Sequence, residues 1–224
     1  MDVVYQPPAS GGGAFPWVTP NLATDATFVD TNNVLASGSM ASGAFVTNPT
    51  ASDTRSTGGD PMRLEIPISV DLTTVAGIVV ELTGVDFVKA DNTGLVVQVV
   101  DDADPSAGAG MSWHWVASGL TWRCAARAAF GTPSLTNPGI TTPTSMLGKA
   151  SILRDGSGNA IIGLPNAMLR DSSTQSGSNR ATSTAVATLG STSDLVLVVA
   201  CQQLAAARAY SFTGLRYRLV PEPS

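Results

Sequence analysis

The chain is poor in charge and poorest in lysine. Only 13% of its 224 residues are charged, and Lys89 and Lys149 are the only lysines, against about 25% charged residues in an ordinary globular protein. With a formal net charge of −5, no basic stripe is available to track a phosphate backbone. Nucleic acid is thereby excluded as a partner, and an acidic membrane surface is disfavoured. No run approaches the ~18 uninterrupted apolar residues of a membrane-spanning helix. Met1-Asp2 opens no basic-then-apolar leader, so synthesis in a cytosol is expected. Cys124 and Cys201 match no metal-ligand spacing, and two buried thiols are expected rather than a disulfide.

Catalytic signatures are missing too. Glu65, Glu81 and Glu222 are the only glutamates, and none belongs to a paired-carboxylate motif. The lone histidine, His114, has no Gly-x-Ser-x-Gly elbow to serve. No phosphate-binding glycine loop or zinc pattern occurs. The chain therefore reads as a non-enzyme with no catalytic residue, cofactor or metal assigned. Asp101, Asp102 and Asp104, with Asp91 and Asn92, are oxygen ligands of the kind calcium uses. Asp155 to Asn159 resembles part of a calcium loop, yet such Asx/Gly loops are ordinary turns.

What remains is β-sheet text. Hydrophobic residues at 43% exclude disorder throughout, and 22 glycines and 14 prolines punctuate the chain. Met62, Leu64, Ile66, Ile68 and Val70 alternate with polar positions, which is a strand period. Pro67 on the outward set places that strand at an edge or bulge. From 23 to 59, short apolar islands predict short strands, with turns at Asn32-Asn33 and Ser37-Gly38. The runs 76–88 and 94–100 are expected to pair as a hairpin through Asp91 to Gly94. Residues 151–154 and 159–162 form another hairpin through Asp155 to Gly158. The Pro-rich stretch 131–149 reads as a connector, and 171–183 as an exposed loop. Asp194 to Cys201 is apolar enough to lie buried on both faces. In 210–220 the alternation changes phase at Gly214, which predicts a bulge, and 202–208 fits a single helical turn. The expected fold is all-β: an antiparallel β-sandwich of jelly-roll or lectin-like type. Residues 1–22 are an extended N-terminal arm and 23–224 a single domain. Tyr5, Phe15 and Trp17 are the arm's candidate assembly anchors.

Residues 111–130 hold three of the four tryptophans. A turn at 117–120 pairs Val116 with Thr121, Trp115 with Trp122, His114 with Arg123, and Trp113 with Cys124. The three indoles then share one face, while His114 and Arg123 leave the other. Turned inward, the indoles supply core. Turned outward, Trp113, Trp115 and Trp122, with His114 and Arg123, are a candidate carbohydrate-binding surface. Cys124 on the indole face favours the inward arrangement.

Lysine poverty, Ala/Gly/Thr/Ser richness, the arm and the all-β body resemble bacteriophage virion surface proteins of jelly-roll type. These are capsid decoration (cement) proteins, head fibres and tail fibres, and the resemblance is one of overall character. It implies a structural protein at the virion surface, assembled in the host cytoplasm, with capsid or tail proteins as partners and homo-oligomers that are often trimers. The alternative is a lectin-like module that recognises host glycans.

Overall fold

The structure, a computed structural model, describes residues 15–30, 35–41, 44–49, 62–87, 93–104, 107–116, 121–128, 136–140, 143–170, 180–190, 194–202 and 210–222. A short helix, α1 (Leu22–Asp25), is followed by β1 (Thr27–Asp30), β2 (Leu35–Ala41), β3 (Ala44–Pro49) and β4 (Met62–Ser69). A 3-10 turn at Leu72–Thr74 leads to β5 (Val75–Thr83), β6 (Asp86–Phe87), β7 (Thr93–Asp101), β8 (Gly108–Val116) and β9 (Thr121–Ala128). Next come β10 (Thr136–Ile140), β11 (Ser145–Arg154), β12 (Ala160–Arg170), β13 (Arg180–Thr182) and β14 (Val186–Thr188). The last strands are β15 (Asp194–Gln202), β16 (Tyr210–Phe212) and β17 (Gly214–Pro221).

These strands form an antiparallel β-sandwich, the fold class expected from the sequence. One layer is a seven-stranded sheet in the order β1-β4-β15-β7-β8-β9-β10. The other is a six-stranded sheet in the order β13-β12-β11-β5-β17, with β14 also paired to β12. A smaller four-stranded sheet runs β2-β3-β16-β6. Every pairing is antiparallel. β12 packs across the sandwich onto β8 and β9.

Alternation builds the core between the layers. Leu64, Ile66 and Ile68 of β4 point inward beside Leu195, Leu197 and Val199 of β15, and Val97 and Val99 of β7 continue the same face. Burying each such side chain contributes about 1.5–3 kcal/mol. Pro67 faces Val196 of β15 on one side and lies beyond the end of β1 on the other, since β1 pairs only with Met62 to Glu65; a proline is accommodated at such a locally open edge. β15 lies between β4 and β7 and is buried on both faces through Val198 and Ala200, as its continuous apolar run requires. The β11–β12 hairpin also forms as expected. Asp155 accepts hydrogen bonds from the N–H groups of Ser157 and Asn159, and Gly158 sits at φ 85°, a conformation that glycine adopts without steric cost.

Several expectations are corrected. β5 and β7 do not pair: β5 lies between β11 and β17, and β7 between β15 and β8. After β5 the chain enters the small sheet as β6 before β7 begins in the other layer. Gly214 marks a change of sheet, not a bulge, since β16 belongs to the small sheet and β17 to the six-stranded one. The connector 131–149 holds an edge strand, β10, and the start of β11, and Pro138 is accommodated at that edge. Ser37-Gly38 lies within β2 instead of forming a turn. Helix α1 crosses the expected arm boundary, with Leu22 fully buried. Residues 203–209 and 171–179 lie outside the described residues.

Candidate functional site

The tryptophan hairpin has the register read from the sequence. Val116 faces Thr121, Trp115 faces Trp122, His114 faces Arg123, and Trp113 faces Cys124. All three indoles point into the sandwich and are buried, Trp113 completely. The Trp113 Nε1–H donates to the Met168 carbonyl of the opposite sheet at 3.1 Å. Trp115 and Trp122 meet edge to face, 6.1 Å between centroids at 81°, a geometry favoured by the ring quadrupoles. Cys124 is a free, buried cysteine, and burial pushes its thiol up to about 12. A sugar-stacking platform needs exposed indole faces. Trp113, Trp115 and Trp122 are core instead, because the large apolar rings gain most between the sheets.

The second face of the same strands holds a feature that the sequence reading placed in solvent. His114 lies on the face opposite the indoles, as the register requires, yet it is buried, at 2% exposure, and not solvated. Its Nε2 hydrogen-bonds the Ser112 hydroxyl at 2.9 Å. Burial, with the Arg127 charge adding to it, depresses its pKa to about 3, so the imidazole is neutral at physiological pH. Gly94 pairs with His114, and a Cβ there would fall 2.7 Å from the His114 Nδ1. The absent side chain is what seats the ring. Arg123, across the hairpin from His114, is half-buried, and its Nε has no hydrogen-bond partner.

Gln98, Ser112 and Arg127 complete this polar face, all buried. Gln98 lies opposite Gly110, and Gly110 lies opposite Arg127, so no side chain stands between the amide and the guanidinium along that row. The Gln98 side chain is wholly buried, and neither Nε2 nor Oε1 has a hydrogen-bond partner. Such a group costs about 1–3 kcal/mol in lost hydration and is rare in folded proteins. Gln98 has one signature in the sequence: a lone amide inside the apolar run 95–100. Ser112, His114 and Gln98 each both donate and accept hydrogen bonds in their neutral forms.

The other candidate residues lie elsewhere. Phe15 is buried in the core. Trp17 is half-buried beneath Arg216 and Arg218, whose guanidinium carbons lie 4.4 and 5.0 Å from its ring centroid. Both arm residues thus pack on their own chain, and Tyr5 lies outside the described residues. The Asp101 carboxylate is buried and organises its loop, accepting from the Ala103 N–H at 2.8 Å and from the Gly190 N–H. Asp155 is used likewise by its turn, where hydrogen bonds from Asn159 lower its pKa. Among the described residues, no three His, Cys, Asp or Glu side chains are grouped to hold a metal ion. Asp91 and Asn92 lie outside the described residues.

No protein-family model matches the chain, and no curated protein matches its sequence. Several solved structures follow a similar course. The Emp47p carbohydrate recognition domain is 10% identical, with 94% of this chain and 99% of that one covered at a TM-score of 0.48. Lectin I from Ulex europaeus, solved with the methyl glycoside of α-L-fucose, is 9% identical, with 92% and 98% covered at 0.48. An alginate lyase from Pseudomonas aeruginosa is 12% identical, with 78% and 81% covered at 0.45. At these identities and scores the likenesses assign no function to this chain.

Proposed function

We propose that this protein is a non-catalytic carbohydrate-binding module whose sugar-contacting groups are those on the polar face of β7, β8 and β9, buried in the free protein, and not the indoles. The observation that carries this reading is Gln98, an amide held inside the protein with both polar atoms unpartnered. On the same face, further along the strands, lie the Ser112 hydroxyl, opposite Val96, and a neutral His114, opposite Gly94, with Arg123 across the hairpin from His114. Sugar hydroxyls donate and accept at once, and these groups offer the complementary pattern; unpaired buried polar groups also reject ligands that lack it. Because the groups are buried in the free protein, binding exposes them first, and association is slower than docking to an open site. A glycan array, run with and without calcium, tests the proposal. Hits lost on Gln98→Met in a folded protein support it, and an array without hits overturns it.

A second reading places the chain on a phage virion, on capsid or tail, as a homo-oligomer assembled in the host cytoplasm. What supports it is the lysine-poor, small-residue-rich composition and the aromatic N-terminal segment seated along a sheet edge. The two roles are compatible in one protein. Copurification of tagged chain with capsid or tail proteins supports the virion role; a chain that binds no virion component removes it.

A further inference from the structure

The two large sheets carry their charge differently. The strands of the six-stranded sheet hold Lys149, Arg154, Arg170, Arg180, Arg216 and Arg218, half of the chain's 12 cations, and only Glu81 of its 17 acids. The seven-stranded sheet mixes the signs, with Arg63, Arg123 and Arg127 against Asp30, Glu65, Asp101 and Asp194. Register places all of these six cations except Arg154 on the outer face of their sheet. Lys149 pairs with Val79 and Val79 with Arg218; Arg180 pairs with Met168, Arg216 with Glu81, and Arg170 with Ser145. The alternate positions, among them Val80, Ala167, Leu169 and Tyr217, turn into the core. Lys149, Arg180 and Arg216 are exposed, while Arg170 and Arg218 are half-buried.

The face is therefore cationic in an acidic protein. Its one acid, Glu81, is buried and committed to Arg216, 2.5 Å from Nη2 and 2.6 Å from Nε. Among the described residues no carboxylate pairs with Lys149, Arg170 or Arg218. Trp17 lies over Arg216 and Arg218 and closes the β17 end. From β13 to β17 is four strand spacings, about 19 Å, and the cations fall in three successive rows, about 14 Å along the strands. Asn166 and Thr182 share a row with Lys149, and Ser151 stands in the next. A patch of this size is too small to track a duplex, and it fits a few units of one narrow acidic chain. Arginine forks and a lysine take carboxylates, and the amide and hydroxyls between them take hydroxyls. An acidic polysaccharide presents both groups along a single chain. An acidic peptide brings carboxylates but few hydroxyls. A polynucleotide brings bases, and the cationic rows hold no aromatic side chain to stack them.

We infer that the outer face of the six-stranded sheet is a docking surface for an acidic polysaccharide, one whose sugars carry carboxylates. It is separate from the buried polar face of the other sheet and does not rest on sugar binding there. Binding of the full chain to immobilised polygalacturonate tests this, with dextran, polyglutamate and polythymidylate as comparators. The chain binds polygalacturonate, more weakly as salt rises, and does not bind dextran through this face. Lys149→Gln together with Arg170→Gln lowers the affinity about tenfold, and Lys149→Gln alone, at an exposed position, about threefold. Arg63→Gln, which takes a charge from the other sheet, leaves the affinity unchanged, as does Gln98→Met. A chain that does not bind polygalacturonate overturns the inference. So does an equal loss in Arg63→Gln, which would make the attraction one of net charge. Equal binding to polyglutamate or polythymidylate overturns the assignment to a polysaccharide.

Discussion

Acidification removes stability through His114 in a way that can be calculated. Unfolded, the imidazole titrates at 6.5; folded, burial and the Arg127 charge bring it down to about 3. Between those values the unfolded chain binds a proton that the folded chain refuses, so stability falls as pH falls. The contribution is whole above pH 6.5 and is lost progressively toward pH 3. From pH 7 to pH 4 it amounts to about 3 kcal/mol, at 1.36 kcal/mol per pH unit. For a chain of this length that is roughly 6–12 °C of melting temperature. Carboxylates such as Asp71 and Asp155, whose pKa values are lowered by hydrogen bonds, lose stability over the acid range as well. The comparison is therefore wild type against His114→Gln, by urea unfolding at a series of pH values. The wild-type curve should be steeper by the equivalent of one proton between pH 6 and pH 4. Parallel curves would refute the reasoning, since His114 would then titrate alike in both states.

Other outcomes follow from the same geometry. Cys124, buried with its thiol raised to about 12, should resist thiol reagents in the native protein at pH 8 and react only at the rate of unfolding. Stability should also fall from pH 9 upward, as the unfolded thiol ionises first. Trp115→Ala should cost about 3–5 kcal/mol, measured by chemical denaturation; a cost below 1 kcal/mol would mean that the ring is not core. Leu164 is 41% exposed and held at φ 48°, a left-handed conformation that costs a leucine about 1–2 kcal/mol. Leu164→Gly should be stabilising by up to about 1 kcal/mol, less if the unfolded chain gains entropy; destabilisation would show that the leucine packs.

The tryptophan hairpin was legible to the residue because strand alternation and a four-residue turn leave one register that joins three indoles to Cys124. The burial of the opposite face was not. His114 and Arg123 are polar, and a period-two pattern assigns polar residues to solvent, although β8 is buried on both sides. Gln98 shows the converse, since a polar residue in an apolar strand looks like an interruption until the partners of its amide are sought. Strand identity was readable from 62–70 and 194–201, where composition and period agree. Strand partnership was not readable for 76–88 and 94–100, because an Asp-Asn-Thr-Gly sequence suits a hairpin and a passage between sheets equally. Pro138 told against a helix but not against an edge strand. In the arm, aromatic residues fit a docked segment and a loose terminus alike; Phe15 and Trp17 pack on their own chain, in a seat that depends on Arg216 and Arg218, far away in sequence.

The most direct test of the binding face is Gln98→Met, a change of nearly constant volume that removes both unpartnered amide atoms. Wild type and variant are compared by thermal unfolding and by calorimetric titration with the strongest hit from the glycan array. The predicted result is a variant more stable by about 1–3 kcal/mol whose sugar affinity falls at least tenfold. A variant that keeps its affinity, or that gains nothing in stability, would contradict the assignment of this face.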